Sequence, residues 1–303
     1  MNDASCEFRN LLSFDVEEYF QVEAAAVEQA RWREYASRLE PCIDAILGML
    51  NTAHVKATFF ILAWVAQRKH PMIRRLVDEG HEVASHGYSH QMLNRLDPER
   101  FRSELEDSRK ILEDIAGTAV IGFRAPTFSI THRTAWALDV LAEAGYRYDS
   151  SVFPIRHDRY GVRQAPPTHH HAVAPSGRTI LEIPPLTLSV GCFRLPIGGG
   201  GYLRLWPVRV VGMAISKSQK SGTPAMLYLH PWELDACQPP LPMSRLSRWR
   251  HRVNLGRTAS KLEWLLARYS FGDVRSSLQP LLATTQMYLY RASAKLDASL
   301  RKR

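Results

Sequence analysis

Two histidines four residues apart, in His86-Gly87-Tyr88-Ser89-His90, are the residues of this chain best spaced to share a metal ion. On a helical turn that spacing stacks both imidazoles on one face, where each can reach the same cation. With 12 His in the chain the spacing alone is a weak signal, so further ligands must be found elsewhere. Polar residues repeatedly follow strand-like apolar runs. Asp15 follows Leu11-Leu12-Ser13-Phe14, His86 follows Glu82-Val83-Ala84, and Arg124 follows Val120-Ile121-Gly122-Phe123. Asp149 follows Tyr146-Arg147-Tyr148, and His230 follows Met226-Leu227-Tyr228-Leu229. The ends of parallel strands share one edge of a sheet, so these five residues would converge there. Their types suit acid–base and metal chemistry, which makes solubility alone a poor explanation for all five.

The elements that would carry them alternate between strand and helix. Apolar spacing predicts helices over 38–50, from Pro71 to a stop at Gly80, over 97–115, and over 132–144 with Thr131 as N-cap and Gly145 as stop. Val55-Lys56-Ala57-Thr58-Phe59-Phe60-Ile61 and 181–186 read as further strands, and His86 to His90 reads as the opening of a helix. The alternation implies an α/β fold with a parallel sheet. The stretch 153–175 is rich in His, Arg and Pro. Its run His169-His170-His171 reads as an exposed, non-functional loop. Gly198 to Gly201 lacks the Lys-Ser/Thr and helix start of a phosphate loop, and reads as a tight turn or a close backbone approach to substrate. Helical spacing returns at 260–269, and the chain from 281 onward reads as a second helix or a frayed tail.

The segments Ser13-Phe14-Asp15-Val16-Glu17, His86-Gly87-Tyr88-Ser89-His90, Arg124-Ala125-Pro126, Tyr148-Asp149-Ser150-Ser151 and Leu229-His230 resemble, in order, the five motifs of the NodB-type polysaccharide deacetylases. The resemblance covers about residues 9–233, and the opening 14–20 and the run 198–202 look like the subgroup associated with exopolysaccharide and exosortase gene clusters. It implies a distorted (β/α) barrel of about seven parallel strands. The implied catalytic domain spans 9–236, with a subgroup-specific insertion at about 153–222, and a basic, mostly helical extension fills 237–303. It implies hydrolysis of N-acetyl groups on a polysaccharide or lipid-linked glycan, with a divalent cation, Zn²⁺ foremost, on His86, His90 and a carboxylate. The family's usual second Asp is replaced by Val16, so either Glu17 or Glu18 supplies the carboxylate, with Glu17 favoured, or the site has only two protein ligands. The same resemblance makes Asp15 the general base held by Arg124, and His230 the general acid oriented by Asp149. Tyr148, Leu229, Trp232 and Pro126 would contact substrate. Competing readings are an amidohydrolase acting on a small cyclic amide and a catalytically inactive carbohydrate-binding relative.

Composition sets the outer bounds. At 45% apolar and 23% charged residues the chain is that of a soluble globular protein with a sizeable core. The four cysteines are scattered without a CxxC pair, which suits a reducing compartment. No leader-like N-terminal stretch or long apolar run is present, and the expected location is cytoplasmic. The net charge of +9 is uneven: residues 241–303 hold thirteen Lys/Arg and three acids, which leaves the first 240 at −1. Such a basic end suits an anionic membrane face near a lipid-linked glycan. Without interleaved aromatics or a recognisable module, nucleic acid is a poor partner.

Overall fold

The computed structural model describes residues 9–157, 160–191 and 193–291. The first half alternates as expected. Strand β1 (Asn10–Val16) leads to α1 (Leu39–Thr52), β2 (Thr58–Ile61), α2 (Ala63–Ala66), α3 (His70–Asp78), β3 (Glu82–Ser85), α4 (Pro98–Ala116), β4 (Gly122–Phe123), α5 (Trp136–Glu143) and β5 (Tyr148–Asp149). The second half adds β6 (His170–Val173), β7 (Thr179–Glu182), a hairpin of β8 (Thr187–Val190) and β9 (Phe193–Pro196), α6 (Gly201–Leu205), α7 (Val208–Lys220) and β10 (Met226–Leu229). The basic end contributes α8 (Arg245–Arg252), α9 (Thr258–Leu266), β11 (Phe271–Gly272), α10 (Val274–Leu282) and β12 (Met287–Leu289).

Seven strands run parallel in the order β10-β1-β2-β3-β4-β5-β7, with β6 antiparallel to β7 and β12 beside β6. No ladder joins β7 to β10 among the described residues. Main-chain bonds from Leu186 N to Met226 O (2.9 Å) and Gly200 N to Tyr228 O (3.0 Å) span that side instead. Gly199 makes the approach possible: it sits at φ +152°, and a Cβ there would lie 1.6 Å from the Tyr228 carbonyl oxygen. The glycine run therefore approaches a strand, and Gly201 starts a short helix rather than ending a turn.

Period-2 alternation sorts each strand into two faces. Leu12, Phe14 and Val16 join the core under the helices, where Ile43, Ile46 and Leu50 of α1 are fully buried and Phe14 stacks on Phe59 at 5.1 Å. Leu11, Phe60, Ala84, Tyr148 and Leu181 form a second cluster on the opposite face, which Val274, Leu278 and Leu281 of α10 complete. The N-terminus of α10 docks on the beginnings of β2 and β3, through Val274 N to Thr58 Oγ1 (2.9 Å) and Arg275 N to Glu82 Oε2 (2.9 Å). This leaves the opposite ends of the strands for the polar residues.

Several expected boundaries move. Residues 131–135 form turns tied by Thr134 Oγ1 to Ser129 O (2.7 Å), so α5 begins at Trp136. Past the end of α10 at Leu282 the chain is neither a second helix nor a tail through 289, since β12 pairs with β6; ahead of α10, β11 pairs with β1. The extension is thus part of the sheet, and residues 292–303 lie outside the described residues. The histidine tract is also no exposed loop. His170 lies fully buried in β6, with Nε2 2.8 Å from the Tyr290 hydroxyl, and burial pushes it down to about 4. Tyr148 points away from the strand ends expected to carry chemistry: its hydroxyl donates to Glu82 Oε1 at the start of β3 (3.0 Å).

Burial pushes Glu82 up to about 7, against the weaker opposing effects of Thr58 Oγ1 and the Arg275 amide. The folded protein therefore holds a proton there that the unfolded chain releases near pH 4.5. Its stabilising effect is complete below that pH and is lost as pH rises through about 7. Glu82→Gln should remove this slope: between pH 5 and 8, thermal melts should show the variant gaining on wild type by up to about 3 kcal/mol.

Candidate metal centre and active site

Arg124 is the hub of the site. It is fully buried, and its guanidinium stands 4.1 Å over the ring of Phe60. Nη1 donates to Asp15 Oδ1 (2.6 Å) and Ser13 Oγ (2.8 Å), while Nε and Nη2 donate to the carbonyl and hydroxyl of Ser150 (3.0 and 2.9 Å). Its own carbonyl accepts from His86 Nδ1 (2.7 Å). That bond fixes the tautomer and leaves His86 Nε2 with a free lone pair.

The histidine motif is a loop rather than a helix. Gly87 and His90 adopt left-handed φ of +78° and +54°, which no helical turn allows. The loop's amides are taken up by side chains, Gly87 N by Ser85 Oγ (3.2 Å) and Ser89 N by Glu104 Oε2 (3.3 Å). Ser89 Oγ adds a 2.6 Å bond to Glu104 Oε1 of α4. The two imidazoles still converge, with ring centroids 5.4 Å apart.

The third ligand follows strand β1 directly. Side chains at i and i+2 share a face of a strand, so Ser13 and Asp15 point one way while Val16 enters the core; Glu17, just past the end of β1, is turned toward the same cluster with its N–H on Asp15 O (3.1 Å). One ligand atom each from Glu17, His86 and His90 lies within 4.8 Å of the others, and all three residues are buried. Glu18 faces elsewhere, accepting from Arg38 N at 3.1 Å.

The trio fits a divalent cation. Glu17 Oε2 lies 2.6 Å from His90 Nε2 yet has no hydrogen-bond donor, although it is fully buried. An uncompensated carboxylate oxygen in that position calls for a positive charge beside it. Burial acts to raise Glu17, but the imidazoles of His90, His230 and His86 outweigh it and hold the group well below the usual carboxylate range. Burial pushes His86 down to about 4, against the pull of Asp15, so it is neutral and able to ligate at neutral pH. Two imidazoles and one carboxylate are a donor set for Zn²⁺, Fe²⁺, Co²⁺ or Ni²⁺.

His230 faces this cluster from the end of β10. Its Nε2 lies 3.7 Å from Glu17 Oε1 and 3.9 Å from Asp15 Oδ2. Its side chain is 19% exposed, whereas those of Asp15, Glu17 and His90 are 5% or less, so solvent and substrate reach the cluster beside this ring. The expected pairing of His230 with Asp149 is absent. His230 Nδ1 instead pairs with Glu233 Oε2 at 3.1 Å. Asp149 accepts from the Ser151 hydroxyl and sits against Glu182, which burial and the neighbouring Asp149 charge push well above the usual carboxylate range. The two buried carboxyls face each other across the β5–β7 pairing, and Asp149 is turned to that partner rather than to His230.

Among the residues expected to contact substrate, Tyr148 is remote as described, Leu229 is fully buried core, and Pro126 is buried at the start of a short turn of 3-10 helix, Pro126–Phe128. Trp232 is buried too, and its indole Nε1 donates to Glu17 Oε1 (3.1 Å), so it holds a ligand. Sequence reading missed Glu233 and Ser150. The signal for Glu233 was local: it is the first acid after His230, three residues on.

Parts of the chain are similar to known proteins. Residues 35–148 match the family Polysaccharide deacetylase, and residues 150–279 match Domain of unknown function (DUF3473). This chain therefore carries a segment similar to the polysaccharide deacetylases. Within it lie His86, His90 and Arg124, whereas His230 falls in the second match. The chain is 33% identical over 95 residues to a peptidoglycan-N-acetylglucosamine deacetylase of Bacillus cereus, covering 31% of this chain and 34% of that protein. It is 31% identical over 101 residues to a chitooligosaccharide deacetylase of a Bradyrhizobium species, covering 33% and 44%. The chain thus spans under half the length of these curated relatives. A crystal structure from Mycobacterium smegmatis, described as a polysaccharide deacetylase, has the same fold over 92% of each chain at a TM-score of 0.58 and 18% identity.

Elemental analysis of purified variants tests the ligand set. Glu17→Ala should lose the metal, while Glu18→Gln should keep it. Trp232→Phe, which removes one bond to the ligand carboxylate, should weaken zinc binding in chelator competition by about tenfold.

Proposed function

We propose that the chain is a metal-dependent deacetylase that removes N-acetyl groups from a polysaccharide or glycan intermediate. The observation that carries this reading is the buried Glu17–His86–His90 cluster set between a carboxylate held by arginine and an imidazole held by a carboxylate. The likeness of 35–148 to deacetylases of N-acetylated glycans supports the substrate class.

A divalent cation on Glu17, His86 and His90 would supply Lewis acidity, favouring ionisation of water and polarising an acetamide carbonyl. The chain's own residues supply the proton transfers. Asp15 Oδ1 is occupied by Arg124, which leaves Oδ2 facing the cluster to take the proton of an attacking water. His230 Nε2 faces the same space and gives a proton to the departing amine as the carbon–nitrogen bond breaks. The water oxygen ends in acetate, the amine leaves protonated, and proton exchange with solvent restores Asp15 and His230. Burial of Asp15, Glu17, His86 and His90 lowers the local dielectric, which strengthens each of these charge interactions.

The subgroup resemblance of 14–20 and 198–202 supports an exopolysaccharide or lipid-linked glycan as the substrate. A peripheral membrane position is consistent with Leu246 and Trp249, exposed between the arginines of α8. Acetate release from N-acetylglucosamine oligomers by the metal-loaded protein tests the central reading. Asp15→Asn should lower the rate by about a thousandfold with metal content unchanged. Turnover of small cyclic amides with no acetate from any glycan would overturn it.

A further inference from the structure

Several of the residues that hold the site come from the region matched only as a domain of unknown function. Arg204 lies in α6 and is 2% exposed. Its Nε donates to Glu233 Oε1 (2.7 Å), and Glu233 Oε2 accepts from both the backbone N (3.0 Å) and the ring Nδ1 (3.1 Å) of His230. The other donors of Arg204 go to main-chain carbonyls at the end of α8: Nη1 to His251 O (2.9 Å) and Val253 O (2.8 Å), Nη2 to Arg250 O (3.2 Å). Carbonyls at a helix C-terminus lack intrahelical partners, so the guanidinium satisfies them while it clamps the carboxylate.

The same bracket holds Trp232. Its ring is sandwiched between His230, at 5.1 Å and 24°, and His251 of α8, at 4.4 Å and 21°. His251 Nε2 is fixed by Gln238 Oε1 (2.7 Å), and Gln238 Nε2 returns to the Trp232 carbonyl (3.1 Å). From one side of this stack Trp232 reaches Glu17 Oε1.

We infer that the region of unknown function is the positioning half of the catalytic centre: Glu233, clamped by Arg204 onto the C-terminus of α8, orients His230 for proton donation. Glu233 and Arg204 are positioning residues, since neither faces the space between Asp15, Glu17 and His230. Donation of Nδ1–H to Glu233 holds the ring plane and turns Nε2 toward Asp15 and Glu17. A planar guanidinium is required because one side chain must meet a carboxylate and three carbonyls at once, which an ammonium on a flexible stem does not do. The assignment rests on the reading of His230 as the general acid of a deacetylase.

Leaving-group dependence separates orientation of an acid from general support of the fold. An amide needs a proton on its departing nitrogen, whereas an activated aryl acetate expels its phenolate without one. In zinc-loaded protein, Glu233→Gln should cut kcat on N-acetylglucosamine oligomers by about 10- to 100-fold with KM within about twofold, and leave aryl acetate hydrolysis within about threefold. Arg204→Lys should show the same split, more weakly. Equal losses on both substrates, or no loss on the amide, would overturn the inference. The double variant Glu233→Leu, Arg204→Met leaves no unpaired buried charge and is measured alongside, with its fold followed by circular dichroism. Ring ¹⁵N NMR of His230 gives a readout independent of turnover. At a pH high enough to leave the ring neutral, wild type should keep its proton on Nδ1, and the double variant should lose that preference. If wild type releases no acetate from any substrate the deacetylase reading fails, and the NMR arm alone still decides whether Glu233 and Arg204 orient the ring. An unchanged tautomer in a folded double variant overturns the assignment.

Discussion

The buried guanidinium of Arg124 is the interaction on which the site depends. A charge placed out of water is tolerated only when its donors are met, and here they are met by Asp15 and Ser13 on β1 and by Ser150 just beyond β5. Its carbonyl adds His86, which follows β3. One residue at the end of β4 therefore locks together the ends of three other strands and sets both the position of a carboxylate and the tautomer of the His86 imidazole. Removing either member of the Arg124–Asp15 pair would strand a buried charge, which typically costs about 3–5 kcal/mol.

A second buried ion pair, Arg204–Glu233, repeats the device from the other half of the chain. The two pairs meet where His230 Nε2 faces Asp15 and Glu17. Each arginine is also anchored on main-chain carbonyls, so the geometry of the side chains follows from the backbone of the sheet and of α8. The basic extension is accordingly part of the centre's support. Its strands β11 and β12 sit in the same sheet, its helix α10 closes the far end of the strands, and its helix α8 buttresses Trp232.

Much of the fold was legible because local signals agreed with the tertiary outcome. Asp97 caps α4 through Arg100 N (2.8 Å), Pro98 opens it and Gly117 ends it at φ +67°. The parallel strands are buried on both faces and read as short apolar runs. What failed was local inference where tertiary contacts supplied the hydrogen bonds. The loop from His86 to His90 resembles a helix start in spacing, but Ser85 and Glu104 satisfy its amides and let His90 adopt a left-handed conformation. His170 looks exposed in a run of histidines, yet Tyr290, 120 residues away, pairs with its ring in the core.

By itself the sequence determined the alternation of strands and helices over the first half and the residue types at strand ends, because apolar period and end residues are local signals; its resemblance to the deacetylases favoured Glu17 over Glu18. Only the tertiary structure decided which carboxylate holds which histidine. Asp149 and Glu233 are both acids near the expected site in sequence or motif order, and nothing in their identity distinguishes them. Asp149 is drawn to Glu182, which lies opposite it across the β5–β7 pairing, while the turn after β10 brings Glu233 back onto His230. Pairings of that kind depend on which strands become neighbours, and neighbours in a sheet are set by the packing of the whole chain.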